Sequence, residues 1–236
     1  MKQDIVHLTE WRKQRAQVGF TTRHFPLILH KTDELLKKEN QERFATLLPF
    51  KKFALLDQIH GDGVIVLDNA EKYTKDGFYH FKESDAAITD VPGIALFVFS
   101  ADCLPVFLYS GNWVGLVHAG WRGSQKKITQ KTVQLILEKS GQDPKGIKVL
   151  FGPCISARHY EVGAEFKEHF PVAERSGKYY FDLAKESERQ IVSCGVPQQN
   201  ISDLQICTFS ENQSFYSFRK EGDKAGRIIS FIVKTN

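Results

Sequence analysis

Histidine, cysteine and arginine side chains follow apolar segments of the chain, each close to a glycine or proline that turns the backbone. The segment DQIHG carries His60, SADCLP carries Asp102 and Cys103, and VHAGWRG carries His118 and Arg122. Two imidazoles and a thiolate are ligands that zinc accepts, and three protein ligands leave its fourth position open, as in a catalytic site. An open zinc ion lowers the pKa of bound water to roughly 7 and polarises substrate atoms. If the segments pair in one sheet, we expect their ends to converge.

Cysteine and histidine have other common roles in proteins. From residue type alone, a metal site and these other roles are equally well supported. A lone buried cysteine is more often a small apolar filler, and a lone histidine more often a hydrogen-bonding group. The intervals between the three residues match no compact zinc motif. A second chemistry makes Cys103 a nucleophile and His118 its general base, for acyl transfer or deamidation. That alternative leaves His60 without a role, so His60 favours a metal.

An anion site is predicted around Arg122, which lies between two glycines just before a helix that we expect Ser124 to cap. A helix N-terminus beside an arginine binds phosphate or carboxylate. An ion pair with a nearby acidic residue is the equally weighted alternative. Late in the chain, FYSFRKEG brings aromatic residues beside Phe218 and Arg219, which predicts either one wall of a base-binding pocket or core packing.

The apolar pattern predicts alternating groups of strands and helices. A first helix, capped by Thr32, runs through DELLKKENQERFATLL to Pro49, and a second ends at Gly141. The strand candidates are KFALLDQIHG, GVIVLD, GIALFVFSADC, PVFLYSG, WVGLVHAG, IKVLFGPC, DLQIC and GRIISFIVK, and the later helix candidates are GAEFKEHF and DLAKESERQIVSCG. No linker divides the chain, so we expect a single α/β (α+β) domain over 1–236, with helices packed outside one or two mixed sheets.

Composition excludes several classes of protein. The net charge of +4 is mild and scattered, so we expect no nucleic-acid partner and no membrane-binding helix. The first residues lack the apolar core of a signal peptide, which favours a cytoplasmic location. Four widely spaced cysteines are too few for a disulfide framework and are expected to be reduced thiols, with Cys154 simply packed.

Five blocks, in order, resemble the landmarks of the YfiH-type laccase-domain family, whose members have been described as polyphenol oxidases and as purine nucleoside phosphorylases. The blocks are DQIHG, DAAITDVPGIALFVFSADCLPV, VGLVHAGWRG, GPCI with YEVG, and CTFSENQSFYSFRKEGDKAGRIISFIV. The similarity extends from about Val18 to the C-terminus. One departure is the segment after TTR, which is short and apolar here where the family has a glycine-rich continuation.

The resemblance implies a layered sandwich of mixed sheets flanked by helices, with one metal ion, usually zinc, held by His60, Cys103 and His118. It implies phosphorolysis of adenosine, inosine and methylthioadenosine, together with deamination of adenosine. His60, Cys103, His118 and Arg122 are then the expected catalytic residues. Arg23 and Arg122 are candidates for phosphate, and Phe218 and Arg219 for substrate.

Three other functions remain open. A copper-dependent polyphenol oxidase is one, although it needs several metal ions and more histidines than these blocks contain. An amide hydrolase that uses Cys103 and His118 is the second. The third is a partner protein without enzymatic activity. For the enzyme we expect a purine nucleoside and phosphate as small-molecule partners, zinc or copper as cofactor, and a monomer or weak homodimer.

Overall fold

Fifteen strands and five α-helices make up most of the regular structure of the computed structural model, which describes residues 4–8, 11, 15–30, 34–35 and 37–236. The strands are β1 (Ile5–Leu8), β2 (Ala16–Thr21), β3 (Lys52–Leu56), β4 (Val64–Leu67), β5 (Gly77–Phe81), β6 (Ala86–Thr89), β7 (Ile94–Ser100), β8 (Leu104–Ser110), β9 (Trp113–Ala119), β10 (Lys148–Phe151), β11 (Glu161–Val162), β12 (Ala173–Arg175), β13 (Lys178–Tyr180), β14 (Ile201–Asp203) and β15 (Ile228–Lys234). The helices are α1 (Lys38–Leu47), α2 (Trp121–Gln125), α3 (Ile128–Ser140), α4 (Leu183–Ser193) and α5 (Phe218–Glu221).

Two mixed sheets of six strands each contain most of these strands. The first has the order β1-β2-β15-β7-β3-β5, and within it β3 is parallel to both β7 and β5. The second has the order β14-β10-β8-β9-β6-β4, with the β8–β9 hairpin at its centre. Strands β11, β13 and β12 form a small third sheet.

The central strands are apolar on both faces, and this produces four layers. Along β7, Leu96 and Val98 pack into the core between the two large sheets, where they meet residues such as Leu116 of β9. The alternate residue Phe97 faces outward and packs with Phe44 of α1. On the far side, α3 and α4 cover the outer face of the second sheet. The predicted layered sandwich of mixed sheets flanked by helices is therefore confirmed.

The prediction that Ser124 caps the second helix is wrong. Two helices occupy this region: α2 begins four residues earlier than expected, after Gly120, and α3 follows a break at Lys127, whose φ is 62°. Ser124 lies inside α2, and its hydroxyl has no hydrogen-bond partner among the described residues. The Gln190 side chain of α4 donates to the Ser124 carbonyl, a tertiary contact that no local pattern reveals. Gly141 ends α3 in a left-handed conformation, as predicted.

Other elements differ from expectation only locally. The first helix is described from Lys38, so its predicted cap Thr32 lies outside the described residues. GAEFKEHF forms a 3-10 helix over Ala164–Glu168. In DLQIC the strand has already ended at Asp203, and Cys207 makes only an isolated bridge to Cys154. No helix within the described ranges is both long and apolar enough to cross a membrane.

Candidate metal centre

Two chain crossings between the large sheets position the candidate ligands. The first leaves the end of β3 and carries His60 before β4 begins in the other sheet. The second joins β7 to β8 and carries Cys103 directly before β8. His118 is the penultimate residue of β9 and faces Pro105 of β8. The ligands thus converge where both sheets end, rather than along the edge of a single sheet.

The ligand atoms of His60, Cys103 and His118 all lie within 4.8 Å of one another. The two imidazole rings are 4.9 Å apart between centroids and inclined by 75°. Two ligands of one tetrahedral zinc ion lie roughly 3.5 Å apart, so small side-chain rotations bring these donors around one ion. His118 is buried, whereas His60 is exposed, which leaves one side of the group open.

Glycine at position 120 gives the donors the room they occupy. A Cβ atom there would lie 3.0 Å from Cys103 Sγ and 3.2 Å from His60 Cδ2. Such a distance is tighter than nearly all real Cβ contacts, so any side chain at this position would press on two of the three donors. The backbone of Gly120 therefore forms the wall against which the thiol and the imidazole pack.

A buried carboxylate, Asp85, orients two of the three candidate ligands. Its oxygens accept hydrogen bonds from the backbone N–H groups of Ile59 at 3.1 Å, His60 at 3.0 Å and Gly61 at 2.7 Å. These bonds hold His60 at a φ of 58°, which is unfavourable for a residue with a side chain. The same carboxylate lies 2.9 Å from His118 Nδ1.

The contact with Asp85 determines which nitrogen of His118 is available to a metal. Because an ionised carboxylate only accepts hydrogen bonds, Nδ1 carries the proton and donates it, and Nε2 is left for the site. Burial opposes ionisation of Asp85, but the hydrogen bond and charge of His118 and the backbone N–H groups outweigh it and lower its pKa. Sequence reasoning missed Asp85. The available signal was an acidic residue directly before the apolar segment AAIT. A carboxylate beside an apolar strand is buried with it and therefore needs hydrogen-bond or charged partners, and Asp85 is indeed buried.

The Cys103 thiol is poised as a ligand. Burial opposes its ionisation, but the charge of His118 and hydrogen bonds from His118 and His60 outweigh burial and lower the pKa of Cys103 to about 6. In turn, the attraction of Cys103 and Asp85 raises the pKa of His118, although burial acts against the protonated ring. The thiolate, which is the form that binds metals and attacks electrophiles, is therefore favoured near neutral pH.

The three candidate ligands line a cavity of about 690 Å³, large enough for a small organic ligand. Aromatic residues and arginines form much of the remaining wall. The aromatic residues are Phe99, Trp121, Tyr160 and Phe218, and the arginines are Arg122, Arg219 and Arg227. Trp121, Tyr160 and Arg227 were not among the predicted site residues. Trp121 directly precedes the predicted Arg122, whereas no local pattern places Tyr160 or Arg227 near His60 or Cys103.

Three of the predicted site residues, Arg122, Phe218 and Arg219, line the same cavity as the candidate metal ligands. Arg122 lies in α2, with its guanidinium 4.2 Å above the Trp121 ring. Arg219 lies 5.1 Å above the Tyr160 ring and donates to a backbone carbonyl of β11. Phe218 is 49% exposed at the cavity wall. The ion pair weighed as an alternative for Arg122 does not form within the part of the chain that the structure describes.

Arg23 lies elsewhere. Its guanidinium pairs with Glu221 at 2.8 Å, donates to the Asn212 carbonyl and lies over the Tyr216 ring. Within the described residues, it is not part of the cavity wall. The role of Arg23 as a phosphate ligand stays a prediction, and in the structure its guanidinium is paired with the Glu221 carboxylate.

The carboxylate of Asp102 ties the wall together beside Cys103. Its φ of 92° is unusual for a residue with a side chain. One oxygen accepts from the Thr208 hydroxyl at 2.6 Å and the other from the Arg219 backbone N–H at 2.6 Å. The strained turn of Asp102 thus holds the start of α5 against the turn that carries the candidate thiol ligand.

The fold and the site together define a class of protein: a four-layer α/β sandwich with a His-Cys-His candidate metal centre in a cavity at one end of its sheets. The model of the family described as multi-copper polyphenol oxidoreductase laccase matches residues 21–235. The chain belongs to this laccase-domain family.

Relatives and solved structures agree with this assignment. The protein named purine nucleoside phosphorylase YfiH of Shigella flexneri is 34% identical over 208 residues, which are 83% of this chain and 79% of that protein. A purine nucleoside phosphorylase of Aquifex aeolicus is 34% identical over 81% of this chain and 87% of its own length. The crystal structure of the hypothetical protein YfiH from Bacillus licheniformis superimposes with a TM-score of 0.83 and 25% identity, covering 99% of this chain and 97% of that one.

Proposed function

We propose that this protein is a metal-dependent purine nucleoside phosphorylase that also deaminates adenosine. The observation that carries the proposal is the grouping of His60, Cys103 and His118 in a cavity whose wall combines aromatic rings with arginines. The names of the Shigella and Aquifex relatives support the phosphorolytic activity. The proposed substrates are adenosine, inosine and methylthioadenosine with inorganic phosphate.

Zinc is the proposed ion, with copper as the alternative. Two imidazoles and a thiolate suit either metal, but three protein ligands that leave a fourth position open are the usual arrangement of catalytic zinc. His60, Cys103 and His118 would hold it, and Gly120 leaves the space in which their donor atoms meet. When bound, the ion supplies Lewis acidity that polarises a substrate atom or acidifies water.

The chain's own residues have separate proposed roles around this centre. Asp85 keeps the proton of His118 on Nδ1 and so keeps Nε2 directed at the site. Phe218, Trp121 and Tyr160 offer aromatic faces on which a purine stacks.

The arginines would hold the phosphate dianion for attack on the ribose C1′ atom. Arg122 and Arg219 provide fixed positive charges at the cavity wall, and Arg23 is the third predicted candidate. As the new C1′–oxygen bond forms, the bond from C1′ to the purine nitrogen breaks and the base leaves with a proton. In deamination, water attacks the purine C6 atom and ammonia leaves.

The proposal extends to the cellular compartment and the oligomeric state of the enzyme. We propose that the enzyme works in the cytoplasm as a monomer or weak homodimer. Reduced thiols suit that compartment, and the four cysteines of the chain are all free in the structure.

The test is to incubate zinc-loaded protein with inosine and phosphate and to follow hypoxanthine by chromatography. We expect phosphate-dependent release of hypoxanthine, loss of at least 100-fold in rate for Cys103→Ser, and nearly full activity for Cys194→Ser. Cys194 is a suitable control because it is also a free cysteine, and it lies at the end of α4 away from the cavity. No phosphate-dependent product, with adenosine also unchanged, would contradict the proposal.

One observation favours a second candidate, an amide hydrolase. The lowered pKa of Cys103 and its contact with His118 are also the features of a cysteine nucleophile with its base. That enzyme would survive chelators and His60→Ala, whereas the phosphorylase would lose activity under both treatments. The number of metal ions per chain distinguishes the phosphorylase from a copper oxidase, because the oxidase requires several copper ions and the phosphorylase one zinc ion.

A further inference from the structure

Arg227 lies beside the candidate metal centre although it is distant from it in sequence. It directly precedes β15, whose first residue, Ile228, pairs with Ser100 at the end of β7. Cys103 follows in the turn after Ser100, so Arg227 lies at the same end of the first sheet as the thiol. Both residues line the same cavity.

The guanidinium of Arg227 forms no direct ion pair with a carboxylate within the described part of the chain. Its Nη1 donates to two backbone carbonyls, of Ala225 at 2.7 Å and of Gly226 at 3.2 Å. Burial lowers the pKa of this guanidinium, against the attraction of Cys103 and of the carboxylates of Glu34, Asp102 and Asp223. A partly buried cation without a direct ion pair is incompletely compensated, so an anionic ligand that reaches it gains a close charged interaction.

Arg23 provides the contrast. Its guanidinium is already neutralised by Glu221 at 2.8 Å and also donates to the Asn212 carbonyl. An anion that bound there would have to displace this direct ion pair, whereas among the described residues the carboxylates near Arg227 attract it without a direct pair. The local charges therefore favour Arg227 over Arg23 as an anion ligand.

The backbone before Arg227 is held rigidly, as a binding residue requires. A Cβ atom on Gly226 would lie 2.6 Å from the Tyr216 ring, so this position has room only for glycine. The Tyr216 hydroxyl in turn donates to the Arg23 carbonyl at 3.3 Å. The β15 ladder fixes the other side of Arg227, and its guanidinium therefore projects from a well-defined point.

We propose that Arg227 binds the phosphate co-substrate, and the phosphate group of the ribose 1-phosphate product, within the metal-centre cavity. This inference rests on the proposed function and names a residue of its phosphate subsite. Arg219 and Arg122 line the same cavity and add charge around the same anion. A guanidinium suits this task because it donates two parallel hydrogen bonds to phosphate oxygens.

The experiment compares Arg227→Gln, Arg227→Lys and Arg23→Gln with the unchanged protein, all zinc-loaded. Inosine phosphorolysis gives KM for phosphate and KM for inosine separately, and calorimetric titration with inorganic phosphate gives binding without turnover. Arg189→Gln is the matched control, because Arg189 pairs with Glu186 on the surface of α4. Bound zinc and circular dichroism report whether each variant folds.

We expect Arg227→Gln to raise KM for phosphate at least tenfold, to leave KM for inosine within about threefold, and to weaken phosphate binding by a similar factor. Arg227→Lys retains the positive charge, so its KM for phosphate is expected to lie between those of the unchanged protein and Arg227→Gln. This variant also tests the inference if Arg227→Gln folds poorly. An unchanged KM for phosphate in Arg227→Gln, or a rise only in Arg23→Gln, overturns the inference and leaves the proposed function intact.

A failure of the proposed function gives a different result. The unchanged protein would then release no hypoxanthine from inosine at any phosphate concentration. If the protein has no phosphorylase activity, calorimetric titration with inorganic phosphate still tests whether Arg227 binds an anion. Phosphate binding that is lost in Arg227→Gln supports an anion site at this residue, and equal binding by both proteins overturns it.

Discussion

Asp85 connects the two histidines of the candidate metal centre through one carboxylate. It accepts three backbone N–H groups from the loop that carries His60, and it also accepts the Nδ1 proton of His118. An aspartate is suited to this because only an ionised carboxylate accepts four hydrogen bonds without donating any. The electrostatics of the pair and the geometry of the loop therefore depend on a residue that does not itself reach the metal site.

Replacing Asp85 by Asn is expected to weaken zinc binding by about 10- to 100-fold. The amide has only one acceptor oxygen, so His118 loses its charged partner or the His60 loop loses a hydrogen bond. Competition against a chromogenic chelator measures the dissociation constant. Asp76→Asn is the matched control because Asp76 is exposed, and zinc affinity equal to that of the control would contradict the role of Asp85.

At the scale of elements, the start of α2 determines the shape of the site. The strand β9 ends at Ala119, Gly120 follows, and α2 begins at once with Trp121 and Arg122. Gly123 lies close to the His60 loop, since a Cβ on it would be 2.9 Å from the Gly61 carbonyl oxygen. This short turn of glycines thus lets a helix approach both the thiol and the loop, and it places an indole and a guanidinium on the cavity wall.

Gly120→Ala is expected to weaken zinc binding and to cost about 1–3 kcal/mol of unfolding free energy, because the added methyl presses on Cys103 and His60. Urea unfolding and chelator competition measure the two effects. Gly146→Ala is the control, since a Cβ there would meet nothing nearer than 3.7 Å. If both variants behave alike, Gly120 is not under the packing constraint described for it.

At the scale of the whole molecule, the candidate metal centre lies at a junction between the two large sheets. His60 and Cys103 each lie on a segment that crosses from the first sheet to the second, and His118 belongs to the second sheet. An ion held by all three would bind the native arrangement far better than the unfolded chain, in which the ligands are dispersed. Metal binding and the stability of the sandwich should therefore be linked.

Adding zinc to metal-free protein is expected to raise its melting temperature, and a chelator to lower it again. Zinc at about 1,000 times its dissociation constant adds about 4 kcal/mol to the unfolding free energy. Differential scanning calorimetry measures the shift, which Cys103→Ser should abolish and Cys194→Ser should retain. A shift that persists in Cys103→Ser would mean that the stabilising ion binds elsewhere.

Local pattern was sufficient for most of the fold. The apolar segments at β3, β4, β7, β8, β9, β10 and β15 became strands, as expected for short apolar runs bounded by turn residues, because a strand inside a layered core buries both of its faces. Failures came where a tertiary contact competes with local preference, as at Ser124, whose carbonyl accepts from Gln190 of another helix. Such contacts are invisible to a window of neighbouring residues.

The sequence by itself determined the residue types at the ends of the apolar segments, and with them a donor set that suits zinc. Only the tertiary structure decided that these ends meet across two sheets, that Asp85 orients two of the candidate ligands, and that Arg227 rather than Arg23 lines the cavity. The reason is distance along the chain. The partners of Asp85 lie 24 to 33 residues away, and proximity between such residues arises from the packing of layers, which no short segment encodes.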